Sequence, residues 1–101
     1  MLLLTEEKEH IIHNYYKSSN IMYSEYNKTT NDLLVGFKNK IQYIYHLVPE
    51  SVHLMFMLSE SNGKFFMKEI SNKYKSTKLK DLLDVNYINE IFKQKEKEDE
   101  N

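Results

Sequence analysis

Residues 49–83 read PESVHLMFMLSESNGKFFMKEISNKYKSTKLKDLL, and the expected fold follows from how this stretch is read. Pro49 stops what precedes it, because the residue before proline avoids helical angles. It also suits the first turn of a new helix. Val52 to Leu58 is apolar nearly all round, so it is expected to be the most buried element. A strand competes for the same residues. Val52, Leu54, Phe56 and Leu58 alternate, and Asn62-Gly63 is a hairpin dipeptide ahead of Lys64-Phe65-Phe66-Met67. Helix is preferred because Pro49-Glu50 is a natural helix start and Phe66, Ile70 and Tyr74 follow at intervals of four. Phe65 and Phe66 could form a short strand after the turn. Ser76 or Thr77 then caps a further helix, with Leu79, Leu82, Leu83, Tyr87, Ile88, Ile91 and Phe92 on one side. The stretch therefore reads helix, tight turn, helix, short turn, helix.

Upstream, Thr5 is an N-cap candidate, and Glu6, Glu7 and Glu9 put negative charge on a first helical turn. Ile12, Tyr15, Tyr16, Met22, Tyr23 and Tyr26 recur at helical spacings, with Ser19 filling a gap. Residues 27–32, NKTTND, interrupt the pattern with cap-forming side chains, as a turn or an irregularity in one long helix. A second stripe follows at Leu34, Phe37, Ile41, Ile44 and Val48, widened by Leu33, Tyr45 and Leu47. Gly36 beside it would allow close approach of another helix. The expectation is two long helices over 6–47 and a further helical half over 49–92, together one domain spanning 1–92. Residues 93–101, KQKEKEDEN, are expected to be a charged, flexible tail.

Composition supports the same expectation. Two glycines and one proline in 101 residues favour long helices with few corners. The fold class expected is therefore all-α, with room for a short β-hairpin or wing-like strand. The absence of cysteine removes disulfides and thiolate zinc sites. MLLL at the start lacks the basic flank and length of a signal peptide, and no run approaches a membrane span. A cytoplasmic protein is expected. All fourteen basic residues are lysine, a bias typical of AT-rich coding DNA such as that of a phage or plasmid.

The run Leu58-Ser59-Glu60-Ser61-Asn62-Gly63-Lys64-Phe65-Phe66-Met67-Lys68-Glu69-Ile70-Ser71-Asn72-Lys73-Tyr74 resembles the entry to a winged helix-turn-helix. In that family a buried helix ends in a small polar turn. A helix with acidic, apolar and small residues in succession follows, as at Glu69, Ile70 and Ser71. Ser76-Thr77-Lys78-Leu79 with Leu83 resembles the start of a recognition helix. The type named by this resemblance is the MarR-like and staphylococcal accessory regulator group of small dimeric regulators. It covers residues 49–83, about a third of the chain. Three features depart from the pattern: the segment from Ser71 to Leu79 is short, no basic hairpin follows the third helix, and the regulators' arginine and acidic cluster has no counterpart.

Two functional readings stay open. In the first, the resemblance implies a dimeric, DNA-binding transcription regulator. Six lysines and a single acid lie between Lys64 and Lys80, in a chain of formal charge −1. Lys68, Lys73, Lys75, Lys78 and Lys80 would neutralise phosphates of double-stranded DNA, and Asn72, Ser76 and Thr77 would position the backbone or touch base edges. In the second, the chain is a non-enzymatic protein–protein interaction module, of the inhibitor, antitoxin or adaptor kind. Tyr15, Tyr16, Tyr23, Tyr43 and Tyr45 would form the homodimer or partner interface. No catalytic motif appears: Gly36 and Gly63 are isolated, and Glu6, His10 and His13 read as surface residues, not metal ligands. No cofactor, metal or membrane role is expected.

Overall fold

The N-terminal half, expected as two long helices, is five consecutive antiparallel strands, so the all-α expectation is corrected to a mixed α/β fold. The computed structural model describes residues 1–99. The strands are β1 (Leu2–Lys8), β2 (Ile11–Tyr16), β3 (Ile21–Asn27), β4 (Asp32–Phe37) and β5 (Gln42–Tyr45). Two helices follow, α1 (Glu50–Leu58) and α2 (Asn62–Glu69). The chain then returns as β6 (Ser76–Lys78) and ends in α3 (Val85–Asp99). Strand order equals sequence order across the sheet, and every neighbouring pair is antiparallel.

The corners explain why composition misled. Positive φ angles fall on Glu9 (59°), Asn31 (64°), Lys40 (75°) and Leu47 (56°), not on glycine. Short polar side chains help close the turns. Asn27 Oδ1 accepts from the Thr29 and Thr30 amides at 2.9 and 3.1 Å, and Asn39 Oδ1 accepts from Ile41 at 3.0 Å. A chain with two glycines can thus still turn the corners of a meander.

Period-2 patterning was hidden because both faces of the sheet are apolar in places. On one face Tyr16, Ile21, Tyr26, Leu33, Val35, Phe37 and Tyr45 form the main core with Val48, Phe56, Phe66 and Ile70 from the helical side. On the other, Tyr15, Met22, Leu83 and Ile88 form a second core, with Leu4, Tyr23, Ile91 and Phe92 packed around it. A register shift between Ile21 and Tyr23 lets Met22 and Tyr23 both serve this second core.

α1 and α2 confirm the helical reading of Val52–Leu58, but the helix-turn-helix expectation fails after Tyr74. Ser76–Lys78 pairs with β5 as a strand, with Tyr45 opposite Ser76 and Tyr43 opposite Lys78. No recognition helix exists there, and Phe65 and Phe66 lie in α2, not in a wing strand. The segment from Lys93 to Asp99, expected as a flexible tail, continues α3; Glu100 and Asn101 lie outside the described residues.

At Gly36 the segment that leads from β6 into α3 packs closely on the sheet through Leu83. A Cβ there would lie 2.9 Å from Leu83 Cδ2 and 3.1 Å from Cδ1. Gly36→Val should displace Leu83 and loosen α3 over the second core, at about 1–3 kcal/mol of overpacking. Faster amide exchange at Ile88 and Phe92, with Phe56 unaffected, is the expected reading. Equal protection in both proteins would show that Leu83 simply rotates away.

Candidate functional site

α1 has nine residues and lies on a sheet, so it can bury only one side. His53 and Phe56, three apart, are that side. Leu54, Met55 and Leu58 are left 52, 53 and 66% exposed. In α2, Asn62 and Phe66 turn inward, while Lys64, Met67 and Lys68 face solvent. The expectation that the whole Val52–Leu58 segment is buried is therefore corrected: half of its large side chains are on the surface.

The corner between the helices is held by hydrogen bonds. Asn62 Nδ2 donates to the Phe56 carbonyl at 2.8 Å, fastening the first residue of α2 to the last turn of α1. Ser61 is the N-cap of α2, its hydroxyl accepting from the Lys64 amide at 3.3 Å. Asn62 Oδ1 is buried without a hydrogen-bond partner, so this corner carries one unsatisfied acceptor as the cost of its packing.

Between the helices runs a groove floored by Val52, Met55 and Phe65, with Ser59 and Ser61 at one end and Lys64, Lys68 and Glu69 on its rim. Met67 borders an adjoining depression shared with the same two lysines. Glu69 is already answered: Lys73 Nζ lies 2.8 Å from Oε2. That hydrogen bond lowers the Glu69 carboxyl and raises the Lys73 ammonium from their usual values, with Lys68 adding a smaller pull on Glu69. Among the described residues, no salt bridge engages Lys64 or Lys68. The groove thus joins an apolar floor to two unpaired positive charges.

The opposite face of the sheet also carries polar chains. Tyr23 donates to Glu25 Oε1 at 2.6 Å. His13 Nδ1, 2.7 Å from the Tyr23 hydroxyl, is the donor of that contact, since the hydroxyl proton is already given to Glu25. Burial, then the Glu25 hydrogen bond, pushes the Tyr23 phenol well above its ordinary value, which keeps the proton in place. Nearby, His46 Nδ1 lies 3.1 Å from Asp32 Oδ1 and Nε2 lies 2.8 Å from Thr77 Oγ1. The order carboxylate, imidazole, hydroxyl matches that of a nucleophilic triad. Ser76, Thr77 and Lys78 are nevertheless all exposed on a three-residue edge strand. Water is not excluded there, so a developing charge would be screened. The chain is read as a clasp that fixes β6 to the ends of β4 and β5.

The residues singled out for DNA do not form a reading head. Lys68 is on α2, Asn72 and Lys73 are in the turn after it, and Lys75 precedes β6, where its carbonyl accepts from the His46 amide. Ser76, Thr77 and Lys78 are strand, and Lys80 follows it. The tyrosines proposed as an interface are mostly internal. Tyr15, Tyr16 and Tyr45 are buried in the protein's own cores, while Tyr23 and Tyr43 are half-buried. Burial raises the Tyr15 and Tyr45 phenols to about 12. Of the groove residues, Lys68 alone had been singled out. The signal for the others was a short segment that is apolar on more sides than one packed helix can hide.

A family model described as KTSC domain matches residues 17–74. The match runs from just after β2 to just before β6, so it includes the groove and leaves out β1, β2, β6 and α3. The chain is also similar to the crystal structure of the KTSC domain protein YPO2434 from Yersinia pestis, at 30% identity and a TM-score of 0.65. That similarity covers 68% of this chain and 97% of the other. No curated protein matches. These matches overturn the resemblance to MarR-like and staphylococcal accessory regulators, and with it the helix-turn-helix assignment; nothing in them indicates DNA binding.

Proposed function

The chain belongs to the KTSC domain family, and from there we propose that it works as a non-enzymatic protein-interaction module that holds a partner protein in the α1–α2 groove. The observation that carries this reading is an apolar-floored groove at a helical corner held by side-chain bonds, with Met55 exposed in it, Met67 exposed in the adjoining depression, and Leu54 and Leu58 exposed on the same helix as Met55. Large apolar side chains scattered singly on a surface need no explanation, but a group of them around a groove marks a contact surface. The two methionines suit it, because a flexible thioether adapts to the shape of a partner. The described residues offer no group of three or more metal-ligating side chains. None of their helices is long and apolar enough to cross a membrane.

The test is site-specific photo-cross-linking in a lysate of the native host. A benzophenone side chain replacing Leu58 should join to one discrete partner protein. The same group at Thr30, in the exposed β3–β4 turn, should not. Adding Met55→Glu should remove the adduct while circular dichroism shows the fold intact. Equal labelling from both positions, or an adduct only with DNA or with a second copy of this chain, would overturn the reading.

A further inference from the structure

Resting on that reading, we infer that the occupant of the groove is an amphipathic helix with an acidic flank. The floor has three apolar residues from two helices, Val52 and Met55 from α1 and Phe65 from α2. Val52 and Met55 are one turn apart on the same helix, a spacing that meets side chains recurring at i, i+3 or i+4 and i+7 on a partner helix. α1 is nine residues long, about 13 Å at 1.5 Å per residue. Two to three turns of a partner would fill it.

Charge selects the sign of the flank. Lys64 and Lys68 are one turn apart on α2, both exposed and both on the groove's rim. The acid on the rim, Glu69, is tied to Lys73. A carboxylate on the partner's flank would find two cations free to meet it, while a lysine there would meet like charge. The next acid along, Glu60, lies in the turn between α1 and α2 and not on the groove wall. An extended strand is less well served, because the groove offers side chains and no open sheet edge for backbone pairing.

The experiment uses the full chain and two fluorescein-labelled helical peptides of fourteen residues. Each carries Leu at i, i+3, i+7 and i+10. One has Glu at the flanking positions and its twin has Lys. Binding is read by anisotropy, and the site by amide shifts in the nitrogen-15 spectrum. The Glu peptide should bind at least tenfold tighter than the twin at low salt, shifting Val52, Met55, Phe65 and Lys68. Lys64→Glu with Lys68→Glu should reverse the order of the two peptides. Met55→Ala should weaken both without changing their ratio.

Equal affinity for the two peptides, shifts centred away from the groove, or no binding of either would overturn the acidic-helix inference. The interaction-module reading would be untouched by those results, since it stands or falls on the Leu58 adduct. A duplex DNA of matched charge serves as control. If it displaces the Glu peptide and ignores Met55→Ala, the lysines form a general polyanion surface, and the inference is overturned.

Discussion

Phe56→Ala should destabilise the protein by about 3–5 kcal/mol, the usual cost of emptying a buried phenylalanine site. Phe56 has no exposed surface. Its ring lies 5.4 Å from Tyr16 on β2 and 6.3 and 6.4 Å from Phe65 and Phe66 on α2. It therefore ties α1 to both the sheet and the second helix. Its carbonyl also receives the Asn62 amide, so collapse around a cavity there would disturb the corner that shapes the groove. A loss of this size is a large part of the roughly 5–15 kcal/mol that stabilises a typical domain. Urea unfolding should show it as a lower midpoint at unchanged slope. Phe56→Leu, which refills most of the volume, should recover more than half. A loss below about 1 kcal/mol for alanine would mean that α1 is not the keystone of the main core.

Acid should weaken the fold through one histidine. His53 is almost fully buried in α1, stacked on Tyr26 at 4.3 Å with the rings 6° from parallel. Its Nε2 lies 3.1 Å from Asn14 Nδ2, an amide that donates, so Nε2 is the acceptor and the ring is neutral. Burial lowers its pKa from 6.5 to about 4. The unfolded chain therefore binds a proton between about pH 6.5 and pH 4 that the native state refuses. The stability from a neutral His53 is complete above pH 6.5 and is lost as pH falls toward 4. The loss between pH 7 and pH 4.5 should be about 2–3 kcal/mol. Carboxylates also titrate in this window, so the comparison is with His53→Gln. That variant is expected to be less stable at pH 7, but its stability should fall less between pH 7 and pH 4.5, by about the same 2–3 kcal/mol. Identical falls in the two proteins would show that His53 takes up its proton without cost.

The groove was only partly legible in the residues. Lys68 stands out in the sequence as one of a lysine run, but Val52, Met55 and Phe65, which line the groove with it, read there as core or as strand. Apolar character says that a side chain gains from burial, not whether the fold has room for it. The tyrosines failed in the opposite direction. Their number suggested an interface, yet Tyr16 and Tyr26 satisfy their hydroxyls internally, on Ser24 at 2.7 Å and on the Val48 carbonyl at 2.7 Å. A phenol with an internal partner can be core.

By itself the sequence determined the local events whose causes lie within a few residues. Pro49 stands at the N-cap of a helix that opens at Glu50, because proline suits a helix start; it ends no element, since β5 has already stopped at Tyr45. Ser61 caps α2 within the same short reach. Tertiary structure decided the rest. Residues 2–45 satisfy helical spacing as readily as alternation, and they became strands because each found a neighbour for its backbone and a covered face for its large side chains. Ser76–Lys78 became a strand and not a helix start because β5 lay open beside it, with Thr77 clasped by His46. Leu54, Met55 and Leu58 were left outside for the same kind of reason: a nine-residue helix on a sheet has one inward side, and His53 and Phe56 had taken it.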